Sequence, residues 1–82
     1  MRSEEYEKAT EQSLADLRRA IQLLTDHPDV FCATATQARL TKSVFEQWAW
    51  IGDLNPDLMN RTGGPETILL AREINRIGEE LT

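Results

Sequence analysis

Proline and glycine cut this chain into helix-length pieces, and nothing between the cuts alternates as a strand does. The breaks are His27-Pro28, Asn55-Pro56 and Gly63-Gly64-Pro65. Proline disfavours the helical conformation in the residue before it, so each X-Pro step ends one helix or opens another. Before the first break, Ser3 is a suitable N-cap and Glu4 and Glu5 suit the positive end of a helix. Leu14, Leu17, Ile21 and Leu24 then recur at three- and four-residue steps, with Tyr6 and Ala20 on or beside the same face. The pattern predicts a helix over about 4–26.

Asp29 to Ala33 reads two ways, as a short helical turn or as an extended connector. Thr34-Ala35-Thr36-Gln37 is a capping-box pattern, in which the hydroxyl accepts from the third helical amide and the glutamine reaches back. Leu40, Val44, Trp48 and Ile51 follow at helical spacing to Gly52, a natural residue just past a helix end, which predicts a helix over about 35–51. Asn55-Pro56-Asp57 starts a short turn at about 56–60, and Pro65 opens a last helix over about 65–81. The stripe of that helix is Leu70, Ile74, Ile77 and Leu81, and Gly78 inside it weakens it by roughly 1 kcal/mol relative to alanine.

The expected fold is all-α: one domain over residues 1–82, a small bundle of three main helices plus a short connecting helix. The expected core is Leu14, Leu17, Ile21, Leu24, Val30, Leu40, Val44, Phe45, Trp48, Ile51, Leu54, Leu70, Ile74, Ile77 and Leu81. Each large side chain contributes about 1.5–3 kcal/mol when buried, which is adequate but thin for so short a chain. Self-association would thicken it. The stripes Leu17/Ile21/Leu24 and Leu70/Ile74/Ile77/Leu81 resemble bundle seams, and either a homodimer or packing within one chain would cover them.

Charge narrows the function. The formal net charge is -5, and residues 2–31 carry seven acids against four bases. A nucleic-acid binder shows a basic stripe, because phosphate contacts dominate its affinity, and none is visible. No apolar run approaches the roughly 18–20 residues that span a bilayer. The single cysteine, Cys32, excludes an internal disulfide, and with one histidine there is no cysteine-histidine zinc set. An acidic start without an apolar stretch, together with one thiol, reads as cytoplasmic. No cofactor or metal is expected.

Catalysis finds no constellation. His27 and Cys32 flank a proline in the connector with no orienting group evident, and the carboxylate runs Glu4/Glu5/Glu7 and Glu79/Glu80 fall on solvated faces. Arg61-Thr62-Gly63-Gly64 opens a helix whose amides could hold an anion, but it lacks the Lys-Ser/Thr of a phosphate loop and reads as a flexible turn.

Ala38-x-Leu40-x-x-Ser43, Trp48, Gly52-x-Leu54-x-Pro56 and Arg61-x-Gly63-Gly64 resemble the winged helix-turn-helix of excisionases and of the MerR type. The resemblance covers about residues 36–64. It implies a turn between Leu40 and Ser43, a recognition helix starting near the serine, a β-hairpin wing, and DNA binding through Arg39 and Lys42.

Several large side chains fit no stripe. Trp50 falls on the far side of its helix, beside Arg39, Ser43 and Glu46, while Ile68 and Leu69 point away from the Leu70-Ile77 stripe. Either residues 54–60 fold back over Trp50, or Trp50 with Ile68 or Leu69 forms a patch for another chain, with Arg39 as its polar partner. Glu4, Glu7 and Glu11 would steer a basic partner toward that patch. The leading expectation is a small acidic regulatory or adaptor protein that binds another protein, in the manner of an inhibitor, anti-activator or antitoxin, without catalysis of its own. DNA binding through the winged helix-turn-helix pattern is the second.

Overall fold

A computed structural model describes residues 2–60 and 63–81, with side chains described for 12–55, 57–60 and 63–81. Among these residues the chain is mostly helical and has no strand, in the order α1 (Arg2–Asp26), α2 (Pro28–Phe31), α3 (Ala35–Leu54), a 3-10 turn (Pro56–Asn60) and α4 (Gly64–Glu79). The all-α bundle of three long helices and short connecting pieces is as the pattern implied.

The breaks act as local chemistry dictates. His27 still donates its N–H to Leu23 O at 2.7 Å, and Pro28 then starts α2, which makes residues 29–31 a helical turn, with Cys32 extended after it. Thr34 caps α3: its Oγ1 accepts from the Gln37 N–H at 3.0 Å. The Gln37 side chain reaches back to the Ala33 N–H at 3.1 Å, one residue earlier than an ideal box. Replacing Thr34 with alanine should lower stability by about 1 kcal/mol, read as a fall in the urea midpoint with an unchanged slope. An unmoved midpoint would mean that water replaces the hydroxyl at no cost.

α3 does not stop at Gly52. It runs to Leu54, and Asn55 donates to Ile51 O at 2.9 Å. Gly52 is buried, because a Cβ there would lie 2.4 Å from Met59 Sδ and 2.7 Å from Leu14 Cδ2. It is a packing glycine rather than a cap. Asn55 Oδ1 then accepts from the Asp57 N–H at 3.1 Å, opening the 3-10 turn at the expected place. α4 ends at Glu79, two residues short of the expected limit.

α1 is the shared wall of the bundle. It packs against both α3 and α4, which touch each other much less. Arg18 Nη2 donates to Asp53 Oδ1 at 2.6 Å near the end of α3, while Leu24 lies beside Ala38 near its start, so α1 and α3 are antiparallel. α4 runs the same way as α1: Arg72 and Asn75 meet Asp16, and Gly78 meets Leu23. Arg72 Nε donates to Asp16 Oδ2 at 2.9 Å and Asn75 Nδ2 to the Asp16 carbonyl at 3.0 Å, leaving the buried Asn75 Oδ1 without a partner. Gly78 is no mere weakness. A Cβ there would lie 2.5 Å from Leu23 Cδ1, so its absence lets α1 and α4 approach.

The core comprises Leu17, Ala20, Leu24, Phe45, Ala49, Met59, Ile68, Ala71 and Ile74, with Leu14, Ile21, Leu23, Phe31, Cys32 and Trp48 packed against it. Six expected core residues are exposed instead: Val30, Leu40, Val44, Leu54, Leu70 and Leu81. The reason is the choice of face. α3 buries Ala38, Phe45, Ala49 and Gly52, and α4 buries Gly64, Ile68, Ala71, Ile74, Asn75 and Gly78. Small residues admit close helix approach, so they rather than the leucine stripes face inward.

One open alternative is decided in part, and one expectation is corrected. Leu17 and Leu24 are 0% and 2% exposed, so packing within one chain covers their stripe, whereas Leu70 and Leu81 of the other stripe stay exposed. α3 passes unbroken through Lys42-Ser43 and a helix follows Gly64, so the turn and the hairpin of a winged helix-turn-helix are both missing among the described residues. Arg61, which that pattern also used, lies outside them.

Candidate protein-binding surface

α3 carries two apolar faces. Phe45, wholly buried, marks the inner one. At about 100° per residue, Trp48 lies some 60° to one side of Phe45, and Val44, Ile51 and Leu40 lie further round on that same side. Trp48 identifies what lies there: its ring comes within 3.3 Å of where a Cβ on Gly63 or Gly64 would sit, so it packs over the start of α4. Val44, Ile51 and Leu40 thus form the α4-side flank of α3. Leu40 and Val44 are exposed and Ile51 half-buried.

The same reasoning orients α4. Its contacts to α1 run through Arg72, Asn75 and Gly78. Counted through Asn75 and Gly78, Leu70 and Ile77 lie roughly 200–220° round the axis from Arg72, on the side of α3, and Leu81 follows on that side just past the helix end. Leu70 is 49% and Leu81 43% exposed, and Ile77 is half-buried. Two apolar flanks therefore face a common side, away from α1. Each spans 12 residues, Leu40 to Ile51 and Leu70 to Leu81, a rise of about 16 Å at helical pitch, with Leu81 two residues past the end of α4. Together they frame the position that a fourth helix takes in a four-helix bundle.

One rim of this surface is acidic. Glu66 and Glu73 on α4 and Glu80 at its C-cap recur every seven residues, next to Leu70 and Ile77, and all three are exposed. Glu66 Oε1 accepts from the Gly63 N–H at 3.1 Å, so the anion-binding potential of this helix start is met by the chain's own carboxylate. Gly63 has a φ of 97°, which suits glycine, and Thr67 Oγ1 donates to its carbonyl at 2.7 Å; the Gly63-Gly64 end of the turn expected to be flexible is a bonded cap, while Arg61 and Thr62 lie outside the described residues. Arg76 donates to Glu73, and that hydrogen bond, against a smaller effect of burial and with help from the Arg76 charge, holds the Glu73 carboxyl below its ordinary range. The pair's contribution is present at neutral pH and fades as the pH falls through the carboxylate range. The rim of α3 holds the neutral Ser43 and Gln47.

Among the described residues, those singled out from the sequence do not assemble into one patch. Trp50 is 64% exposed, and residues 54–60 do not cover it. It is turned about 200° from Trp48, however, on the side away from α4. Leu69, also 64% exposed, stands on the back of α4, and Ile68 is buried at 8%. Ile68 belongs to the core, so no surface joins it to Trp50. Arg39 is exposed and lines, with Leu24, Ala38 and Lys42, a shallow depression of about 380 Å³ beside α2. The side chains of Glu4, Glu7 and Glu11 lie outside the described residues. Leu40, Val44, Leu70 and Leu81 were missed as surface residues because each had been assigned to the core. The signal available was the second apolar face of α3.

His27 is exposed before α2, and Cys32, a free thiol, is half-buried after it. No cluster of three or more His, Cys, Asp or Glu side chains able to hold a metal occurs among the described residues, and no helix there is long and apolar enough to cross a membrane. Comparison of the chain with known protein families, with curated proteins and with solved structures returns no match.

Proposed function

We propose that this protein is a non-catalytic regulatory or adaptor module of the cytoplasm that acts by binding another protein, in the manner of an inhibitor or anti-activator, through the apolar flanks of α3 and α4. The observation that carries the reading is the exposure of Leu40 and Val44 on one helix and of Leu70 and Leu81 on the other, turned toward a common side. Contiguous exposed apolar surface rimmed by polar residues marks interaction sites in small soluble domains. Two helices flanking an open third side supply the groove into which partner helices dock.

The test is comparative capture from an extract of the cells that make the protein. Three baits are immobilised: the unmodified chain, a Val44→Glu/Leu70→Glu double variant and Trp50→Ala. Val44 and Leu70 are both more than two-fifths exposed, so glutamate there keeps its charge in water and the helical spectrum should persist. A protein held by the unmodified chain and by Trp50→Ala, and lost by the double variant, is the expected result. Equal retention by all three baits, or loss with Trp50→Ala alone, would overturn the assignment of the surface.

A further inference from the structure

The chemistry of the two rims specifies the occupant, and this inference rests on the docking surface just proposed. We infer that the groove between α3 and α4 takes a single amphipathic helix whose apolar stripe is bordered on one edge by lysine or arginine. Shape sets the first half of that description. The floor is a pair of helical flanks about 16 Å long, matched by three turns of a helix presenting leucine-sized side chains at steps of three and four. Charge sets the second half. Glu66, Glu73 and Glu80 stand at seven-residue intervals from the first turn of α4 to its C-cap, the spacing at which a docked helix repeats its own flanking positions, whereas the α3 rim is uncharged at Ser43 and Gln47.

A basic edge laid along α4 would meet a carboxylate every two turns, and an acidic edge would be repelled at each of them. Arg76, paired with Glu73, offsets only part of that field. A second copy of this chain is a poorer occupant, because it brings a net charge of -5 and the same acidic rim.

The experiment uses the intact chain and three synthetic 18-residue peptides. The first is a helix with a leucine stripe and lysines along one edge, the second replaces those lysines with glutamate, and the third scrambles the stripe. Binding is followed by NMR through the methyl signals of Val44, Ile51 and Leu70, at low and at high salt. The expected result is that the lysine helix shifts these signals and binds at least tenfold tighter than the glutamate helix, with the advantage shrinking as salt screens the rim. A Glu73→Lys/Glu80→Lys variant, which spares the Glu66 cap, should reverse the preference.

Equal affinity for the lysine and glutamate helices would overturn the charge assignment while leaving the docking surface in place. Scrambled peptide binding as well as the helix would overturn the helical occupant. No shift with any peptide, together with unchanged capture by the Val44→Glu/Leu70→Glu bait, would overturn both this inference and the reading beneath it. A mass of twice 9.3 kDa at the concentrations used, with the same methyl signals shifted by dilution, would assign the groove to a second copy and overturn the basic helix.

Discussion

Replacing Gly64 with alanine should destabilise this protein by about 3 kcal/mol, near the top of the range for overpacking a tight contact. A Cβ at Gly64 would stand 2.0 Å from the carbonyl oxygen of Met59 and 2.9 Å from its carbon. Both are backbone atoms, so no rotamer change relieves the overlap. Sliding the 3-10 turn away is also blocked, because Met59 is 1% exposed and is seated against Gly52. Alanine would gain up to about 1 kcal/mol of helix propensity at this first position of α4, which is too little to compensate. Gly78→Ala is the internal comparison. There the new methyl meets Leu23 Cδ1 and Cδ2, the tip of a side chain that can rotate, so the loss should be visibly smaller. Urea midpoints of the two variants decide the matter, and a Gly64→Ala midpoint at or above that of Gly78→Ala would show that the turn has room to move.

Phe45→Ala is expected to cost about 3–5 kcal/mol, the usual penalty for emptying a fully buried aromatic site. Phe45 is 0% exposed and is the largest side chain on the inner face of α3, where its neighbours are Ala38, Ala49 and Gly52. None of these can extend into the space it leaves. A chain of 82 residues holds roughly 4–12 kcal/mol in total at the usual 0.05–0.15 kcal/mol per residue, so much of the stability would be lost and the urea transition should begin near zero denaturant. Its neighbour Val44 is 44% exposed, and Val44→Ala should move the midpoint little. If the two substitutions cost the same, the faces of α3 have been assigned the wrong way round.

Those two adjacent positions also show what was legible in the sequence. Helix starts and breaks were, because the causes are local: Thr34 with Gln37, Asn55 before Pro56, and Pro28 after His27 act within four residues, whereas the ends of α3 and α4 fell two or three residues from expectation. The inner faces were not. Periodicity counts large apolar residues, and on α3 the large ones mark Leu40, Val44 and Ile51, while the bundle buries a line of alanine and glycine around Phe45. α4 repeats the lesson, since Ala71, Asn75 and Gly78 face inward and Leu70 does not. A stripe of small residues weighs little in a pattern search, and only a neighbouring helix shows that their size is the point. Trp50 stands outside the stripe as its register implies, yet Ile68, its expected companion, is core, because the face that α4 buries is set by its packing, chiefly on α1.

The wall shared by α3 and α4 has a consequence for how the molecule is assembled in time. The bonds that seat α4, from Arg72 and Asn75 to Asp16, join positions 56 and 59 residues apart. Closing so long a loop is entropically costlier than the 35-residue step that links Arg18 to Asp53, though only by a fraction of a kilocalorie in a flexible chain. Order of synthesis matters more. α1 and α3 leave the ribosome first and can pair as a helical hairpin, with the Ala20 and Leu23 side of α1 still bare until α4 arrives. α4 both closes the core and carries the acidic rim. On the proposed reading, a chain in which α4 has not yet docked has no groove to offer, and a partner would be recognised only once α4 is in place.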